Sequence, residues 1–147
     1  MTYEDLLRLG RIKPYSATSK EIAALISLAR RDIKAAYRNL DEDPEWAYSI
    51  AYNAILQVCR ALMFAEGFRA RGVDHHAVVI QFARDVFHPE NGALMTQIDH
   101  IRRMRNKVVY DAAGLISRGM AQEVISVAEK VLDLIETRLS GQERLLK

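Results

Sequence analysis

Residues 43–72 read DPEWAYSIAYNAILQVCRALMFAEGFRARG, and this stretch decides the fold. Asp43 before Pro44 is a helix start. The carboxylate can accept from the first unpaired backbone N–H groups, and proline at the first helical position gives up an N–H that would have no partner there. The helix it opens is expected to run to about Ala70 and to stop at Gly72. Ala, Ile, Leu, Val, Met and Phe lie nearly all round it, which predicts the central, most buried helix of the molecule. Cys59, the single cysteine, falls inside that pattern and reads as a small buried hydrophobe. One thiol makes no internal disulfide, which suits a reducing compartment.

Working outward, Tyr3 to Leu9 reads as a short turn or helix ending near Gly10, and Ile12 to Ala17 as a loop around Pro14. Thr18-Ser19-Lys20-Glu21 has the form of a capping box, a hydroxyl followed three residues on by a carboxylate. From there Ile22, Leu25, Ile26, Ala29, Ile33, Ala36, Tyr37 and Leu40 recur at three- and four-residue steps, while Lys20, Arg30, Arg31, Lys34 and Arg38 mostly take the other faces. That is an amphipathic helix of about six turns. After the central helix, Asp74 is placed as the cap of a shorter helix from His75 to Phe87, broken by Pro89-Glu90-Asn91-Gly92. A further helix runs from Ala93 to about Tyr110, and the last from Ser117 to Leu139.

No segment alternates with period two, so no sheet is predicted. The fold class is all-α: an up-and-down bundle of four long antiparallel helices plus short helices. The 147 residues make one domain. A net charge of +2 does not by itself call for a polyanion, so any such partner must be met by local clustering. No apolar run approaches the ~20 residues of a membrane span. The start Met1-Thr2-Tyr3-Glu4-Asp5 lacks the basic and apolar segments of a signal peptide. A cytoplasmic protein with no membrane partner is expected.

Two positions break the amphipathic rule. In the helix from Ala93, the apolar stripe is Leu94, Ile98, Ile101 and Val108, and Arg105 projects within about 20° of Leu94. A guanidinium buried without a partner costs several kcal/mol or more, so Arg105 must either pair with a carboxylate inside the bundle or face a cleft or subunit interface. The second reading is favoured. In the central helix, Ser49, Asn53, Gln57 and Arg60 form one polar seam at i, i+4, i+8 and i+11. It is either a solvent-facing stripe or the lining of the same cleft. Arg102, Arg103, Arg105 and Lys107 are the densest positive run in the chain, and phosphate contacts need local density rather than net charge. Runs of this kind are most often solvated faces, and these four point in different directions around the helix.

A helical bundle of this size, with Arg105-Asn106-Lys107-Val108-Val109-Tyr110-Asp111 just before its last long helix, resembles the HEPN superfamily. The resemblance spans about Thr18 to Leu139 in architecture and treats residues 1–147 as a single HEPN-like domain. It implies a homodimer whose two motif copies meet in a cleft, binding RNA or nucleotide, in many members with metal-independent ribonuclease activity. It also implies, for toxin members, a nucleotidyltransferase-type antitoxin as partner. Members carry an arginine, a polar residue, and a histidine four to six residues after the arginine. Arg105 and Asn106 match; Tyr110 stands where the histidine belongs. The site so implied has Arg105, Asn106 and Tyr110 as catalytic residues, with Arg102, Arg103, Arg105 and Lys107 on phosphate. A phenol with pKa near 10 is a poor general base beside imidazole, so activity is expected to be weak or lost. Some toxin members are silenced by AMP on a tyrosine near the motif, but Tyr110 occupies the histidine's place rather than lying beyond it.

Other chemistry has little support. Adjacent His75 and His76 point about 100° apart on a helix and do not chelate as an i, i+4 pair would. No metal site is expected, and no Gly-rich phosphate loop calls for a cofactor. Tyr48, Tyr52, Phe64, Phe68, Phe82 and Phe87 recur at helical spacing and read as core. The competing reading is a non-catalytic dimerisation or adaptor bundle. There Arg105 makes a buried ion pair, and Ser49, Asn53, Gln57 and Arg60 contact a partner.

Overall fold

A computed structural model describes residues 2–72, 75–110 and 114–146, with side chains described throughout except at 108–110 and 142–146. The order is α1 (Tyr3–Arg8), β1 (Ile12–Pro14), α2 (Ser19–Asn39), α3 (Pro44–Ala65), β2 (Phe68–Ala70), α4 (His75–Val86), α5 (Gly92–Tyr110) and α6 (Arg118–Leu146). The all-α class predicted from periodicity is the class observed.

α3 is the central element. Ala51, Tyr52, Ala54, Ile55, Val58, Cys59, Leu62 and Met63 have no exposed surface, and they lie on several faces of the helix. Each large aliphatic chain removed from water contributes about 1.5–3 kcal/mol, so this helix carries much of the hydrophobic drive. α2 and α6 pack against it most extensively, and α4 and α5 cover less of it. Arg30 pairs with Glu136 and Tyr37 donates to Glu129, which sets α2 antiparallel to α6. Gly114, just before α6, donates to Glu45 near the start of α3, and Arg138 donates to Glu66 just past its end. α3 and α6 therefore run in the same direction. Exposed pairs of this kind contribute at most about 1 kcal/mol each, so they report register more than they supply stability.

Caps bound the helices largely as the residues dictate. Asp43 accepts from the Trp46 N–H at 3.1 Å, with Pro44 in the first turn. Thr18 accepts from the Glu21 N–H at 3.1 Å, but the expected reciprocal bond is absent because the Glu21 carboxylate accepts from the Tyr15 hydroxyl at 2.8 Å. The reciprocal box stands instead at the start of α1, between Thr2 and Asp5. Those bonds, with Arg8 beside it, hold the Asp5 carboxyl down at about 2. The cap expected from Asp74 lies outside the described residues.

Three expectations are overturned. α3 ends at Ala65 rather than Ala70, because Gly67 takes φ +94°, and Phe68–Ala70 is extended. It pairs antiparallel with Ile12–Pro14 in the register Ile12↔Ala70, Lys13↔Arg69, Pro14↔Phe68, so a two-stranded ribbon exists where no sheet was predicted. Three-residue strands are too short to show alternation, and Phe68 and Ala70 continue the apolar pattern of the helix before them. The ribbon closes one end of the core: Ile12 is 1% exposed, and the Phe68 ring lies 5.8 Å from Tyr3 and 5.9 Å from Phe82. α6 also runs beyond Leu139, to Leu146. Among the described residues, no helix is long and apolar enough to cross a membrane.

Candidate functional site

α5 places the site. Met95 and Ile98 are fully buried and Ile101 is 5% exposed, so the stripe that carries Arg105 does face the core. One turn before Arg105, the buried Tyr48 hydroxyl donates to the Ile101 carbonyl at 3.3 Å and ties α3 to α5. Burial, with Glu123 nearby, pushes the Tyr48 phenol up to about 12, so it stays a neutral donor.

Arg105 is partly buried and lies over the ring of Tyr52, its Cζ 5.6 Å from the ring centroid. Among the described residues no carboxylate reaches it, and its Nε is buried without a hydrogen-bond partner. A desolvated cation–π contact offers about 2 kcal/mol. An unanswered buried donor on a charged group costs about 1–3 kcal/mol or more, so the guanidinium has unspent hydrogen-bonding capacity. Tyr52 has no exposed surface. Its hydroxyl lies 3.4 Å from His76 Nδ1, and the imidazole meets the phenol edge-on with ring centroids 5.8 Å apart. Three helices thus converge on one aromatic ring: α3 supplies Tyr52, α4 His76 and α5 Arg105.

The remaining predicted residues divide into groups. Arg102 donates to Asp99 through Nε at 3.3 Å and through its terminal nitrogen at 3.2 Å, and Arg103 reaches the other oxygen of the same carboxylate at 2.9 Å. Two of the four cations are therefore held on one acid, while Lys107 is exposed. Asn106 is partly buried beside Arg105. Tyr110 ends α5, but its side chain lies outside those described, and Asp111 is outside the described residues. Ser49, Asn53, Gln57 and Arg60 are all partly buried, and Gln57 Oε1 is buried with no partner. The seam is therefore no fully solvated stripe. Among the described residues none of its members bonds to Arg105, and Asn53 projects about 100° round α3 from Tyr52.

A separate, mainly apolar cavity of about 370 Å³ opens between α5 and α6, with Tyr48, Ile101 and Met104 on one wall and Met120, Val124 and Val127 on the other. It does not include Arg105. No group of three or more His, Cys, Asp or Glu side chains able to hold a metal occurs among the described residues.

Sequence reasoning singled out Arg105 but missed Tyr52 beneath it, His76 beyond that ring, and Asp99 as the partner of Arg102 and Arg103. Tyr48 and Tyr52, one turn apart, could have been read as a pair of phenols on one face needing polar partners. Asp99, at i and i+3 or i+4 from Arg102 and Arg103, was readable from spacing alone. His76 gave no local signal, since its meeting with Tyr52 depends on how α4 packs on α3.

Fold and site together define a mainly helical domain with a partly buried arginine near the end of its penultimate long helix, which no carboxylate reaches among the described residues. The HEPN domain family model matches residues 22–138, and the chain belongs to that family. Membership brings a nucleotide- or RNA-related role in general terms, in a family whose domains commonly dimerise. No curated protein matches the chain.

Proposed function

We propose that this HEPN domain binds RNA or nucleotide phosphate at Arg105, in a cleft formed by a homodimer, as a toxin-type metal-independent ribonuclease of reduced activity. The observation that carries the reading is the Arg105 Nε, buried without a partner on a guanidinium that no described carboxylate neutralises. A phosphate oxygen supplies what that nitrogen lacks, by a charge-assisted hydrogen bond. In this reading Asn106 orients the scissile group, and Arg102, Arg103 and Lys107 contact the flanking backbone. Arg105 stabilises the extra negative charge as phosphorus becomes five-coordinate. Tyr110 donates to phosphate rather than acting as a base. The protein works in the cytoplasm, and a small nucleotidyltransferase encoded beside it would be its antitoxin.

Labelled single-stranded RNA incubated with the purified protein, with and without chelator, tests this. Binding or cleavage that persists in chelator and disappears in Arg105→Ala supports it; wild-type behaviour of Arg105→Ala refutes it. A second reading, a non-catalytic adaptor, draws on a different observation. The partly buried Ser49–Arg60 seam with the unpartnered Gln57 Oε1 has the character of a surface that another chain covers.

A further inference from the structure

We infer that the slot between α5 and α6 is a binding site for a small organic cation, an aromatic ring bearing a protonated amine on a short alkyl chain, with Glu123 as its counter-charge. The inference stands apart from the phosphate reading and does not depend on it.

The slot exists because two helices share neighbours more than they share each other. α6 packs chiefly on α3 and α2, α5 chiefly on α4 and α3, and α5 and α6 meet only lightly. The gap between them encloses about 370 Å³. At ~30 Å³ for each water, that is room for about a dozen waters, or for an organic molecule of similar atom count. The lining runs from Thr96 to Met104 along α5 and from Met120 to Val127 along α6, a length of about 12 Å. Tyr48, Ile101, Val124 and Val127 line it although each is buried, so it reaches into the bundle rather than lying on a flat face. Small-molecule sites have this form, concave and mostly apolar with a few polar groups.

Charge selects the occupant. In a chain of net charge +2, no described lysine or arginine lines the slot, and Glu123 is its one carboxylate. Glu123 makes no hydrogen bond or ion pair among the described residues. Burial is the main cause that raises the Tyr48 phenol, and the Glu123 charge adds to it, so the field of that carboxylate reaches the slot wall. An ammonium group meets Glu123 by a charge-assisted hydrogen bond, whereas an anion is repelled. Thr96, Gln97 and His100 add hydrogen-bonding groups on the α5 side.

The apolar walls select the rest of the molecule. Met104 and Met120 bring two thioethers, one from each helix, and Tyr48 brings an aromatic ring from α3. Methionine adapts its shape and makes favourable contacts between sulfur and an aromatic ring, and ring meets ring edge-on or offset. A planar aromatic body therefore gains more here than an aliphatic one of equal size.

The test titrates phenethylamine into the full chain and follows the methionine methyl resonances. Of the five methionines, Met104 and Met120 line the slot, while Met63 and Met95 are fully buried outside it. Saturable ring-current shifts at Met104 and Met120, with Met63 and Met95 unmoved, are expected at a Kd of about 1 mM or tighter. Hydrocinnamate, a similar body ending in a carboxylate, should bind at least about tenfold more weakly. Glu123→Gln, at an exposed position, should weaken phenethylamine about fivefold without loss of thermal stability. Val127→Phe should fill the slot and abolish the shifts; if it fails to fold, the hydrocinnamate and Glu123→Gln arms still decide. No saturable shift by about 10 mM, equal binding of the anion, or equal affinity in Glu123→Gln would each overturn the inference. So would Met104 and Met120 shifts that follow protein concentration without any amine, which would assign the slot to a second copy of the chain.

Discussion

Arg105 rests on Tyr52, its guanidinium carbon 5.6 Å from the ring centroid, and among the described residues this contact, not an ion pair, holds the partly buried charge. The ring stabilises the charge without accepting from its Nε–H, so the partly buried side chain keeps that donor unanswered among the described residues.

A stability consequence follows. Replacing Arg105 with leucine removes an unpaired buried donor and leaves an apolar side chain on an apolar stripe. Thermal unfolding of Arg105→Leu should show no loss, and a gain of up to about 1 kcal/mol, or about 3 °C for a domain of this size. A fall of several degrees would mean that the guanidinium is structurally satisfied in a way its surroundings do not indicate.

Asp99 restrains two of the cations. Asp99→Asn keeps the shape but frees Arg102 and Arg103 from a shared carboxylate. RNA binding measured across a salt series should tighten several-fold at low salt, and the log–log slope should steepen by about 0.7 for each phosphate newly engaged. An unchanged slope would remove Arg102 and Arg103 from the interface.

Alkaline behaviour is set by the core. Burial pushes the Cys59 thiol from 9.0 up to about 12, and the Tyr48 phenol from 10.0 up to about 12. Unfolded chains give up these protons first, so unfolding releases protons between those values and stability falls as pH rises. Denaturant midpoints should hold steady from about pH 7 to about pH 9 and then drop progressively toward pH 12. At pH 8 a thiol reagent should leave native Cys59 unmodified and label it once the chain is unfolded.

The seam makes a separable prediction. Asn53 lies midway along a partly buried polar line beside the unpartnered Gln57 Oε1. If a second copy covers this line, Asn53→Arg should weaken self-association at least about tenfold, read as mass by light scattering over a dilution series. An unaltered oligomer would place the dimer contact elsewhere.

Much of this was readable from residues in order. Asp43-Pro44, Thr18 and the three- and four-residue apolar steps contain the helix starts and faces, because caps and periodicity are local. The end of α3 was not readable: Phe68 and Ala70 fit both the helical pattern and a short strand. Pairing with Ile12–Pro14, more than fifty residues earlier, decides between them. The site divides in the same way. Arg105 on an apolar stripe is a local contradiction visible in one helix, whereas the ring beneath it and the imidazole beyond come from two other helices. Tyr48 and Tyr52 looked like plain core for that reason, since a phenol's partner is chosen by tertiary packing.

The most direct measurement is the affinity of purified protein for a fluorescent single-stranded RNA in chelator, wild type against Arg105→Ala, with equal thermal stability verified. Binding by the wild type that falls at least about tenfold in the variant is the result expected for a guanidinium whose free donor meets phosphate. Equal affinity in the two proteins would contradict the account.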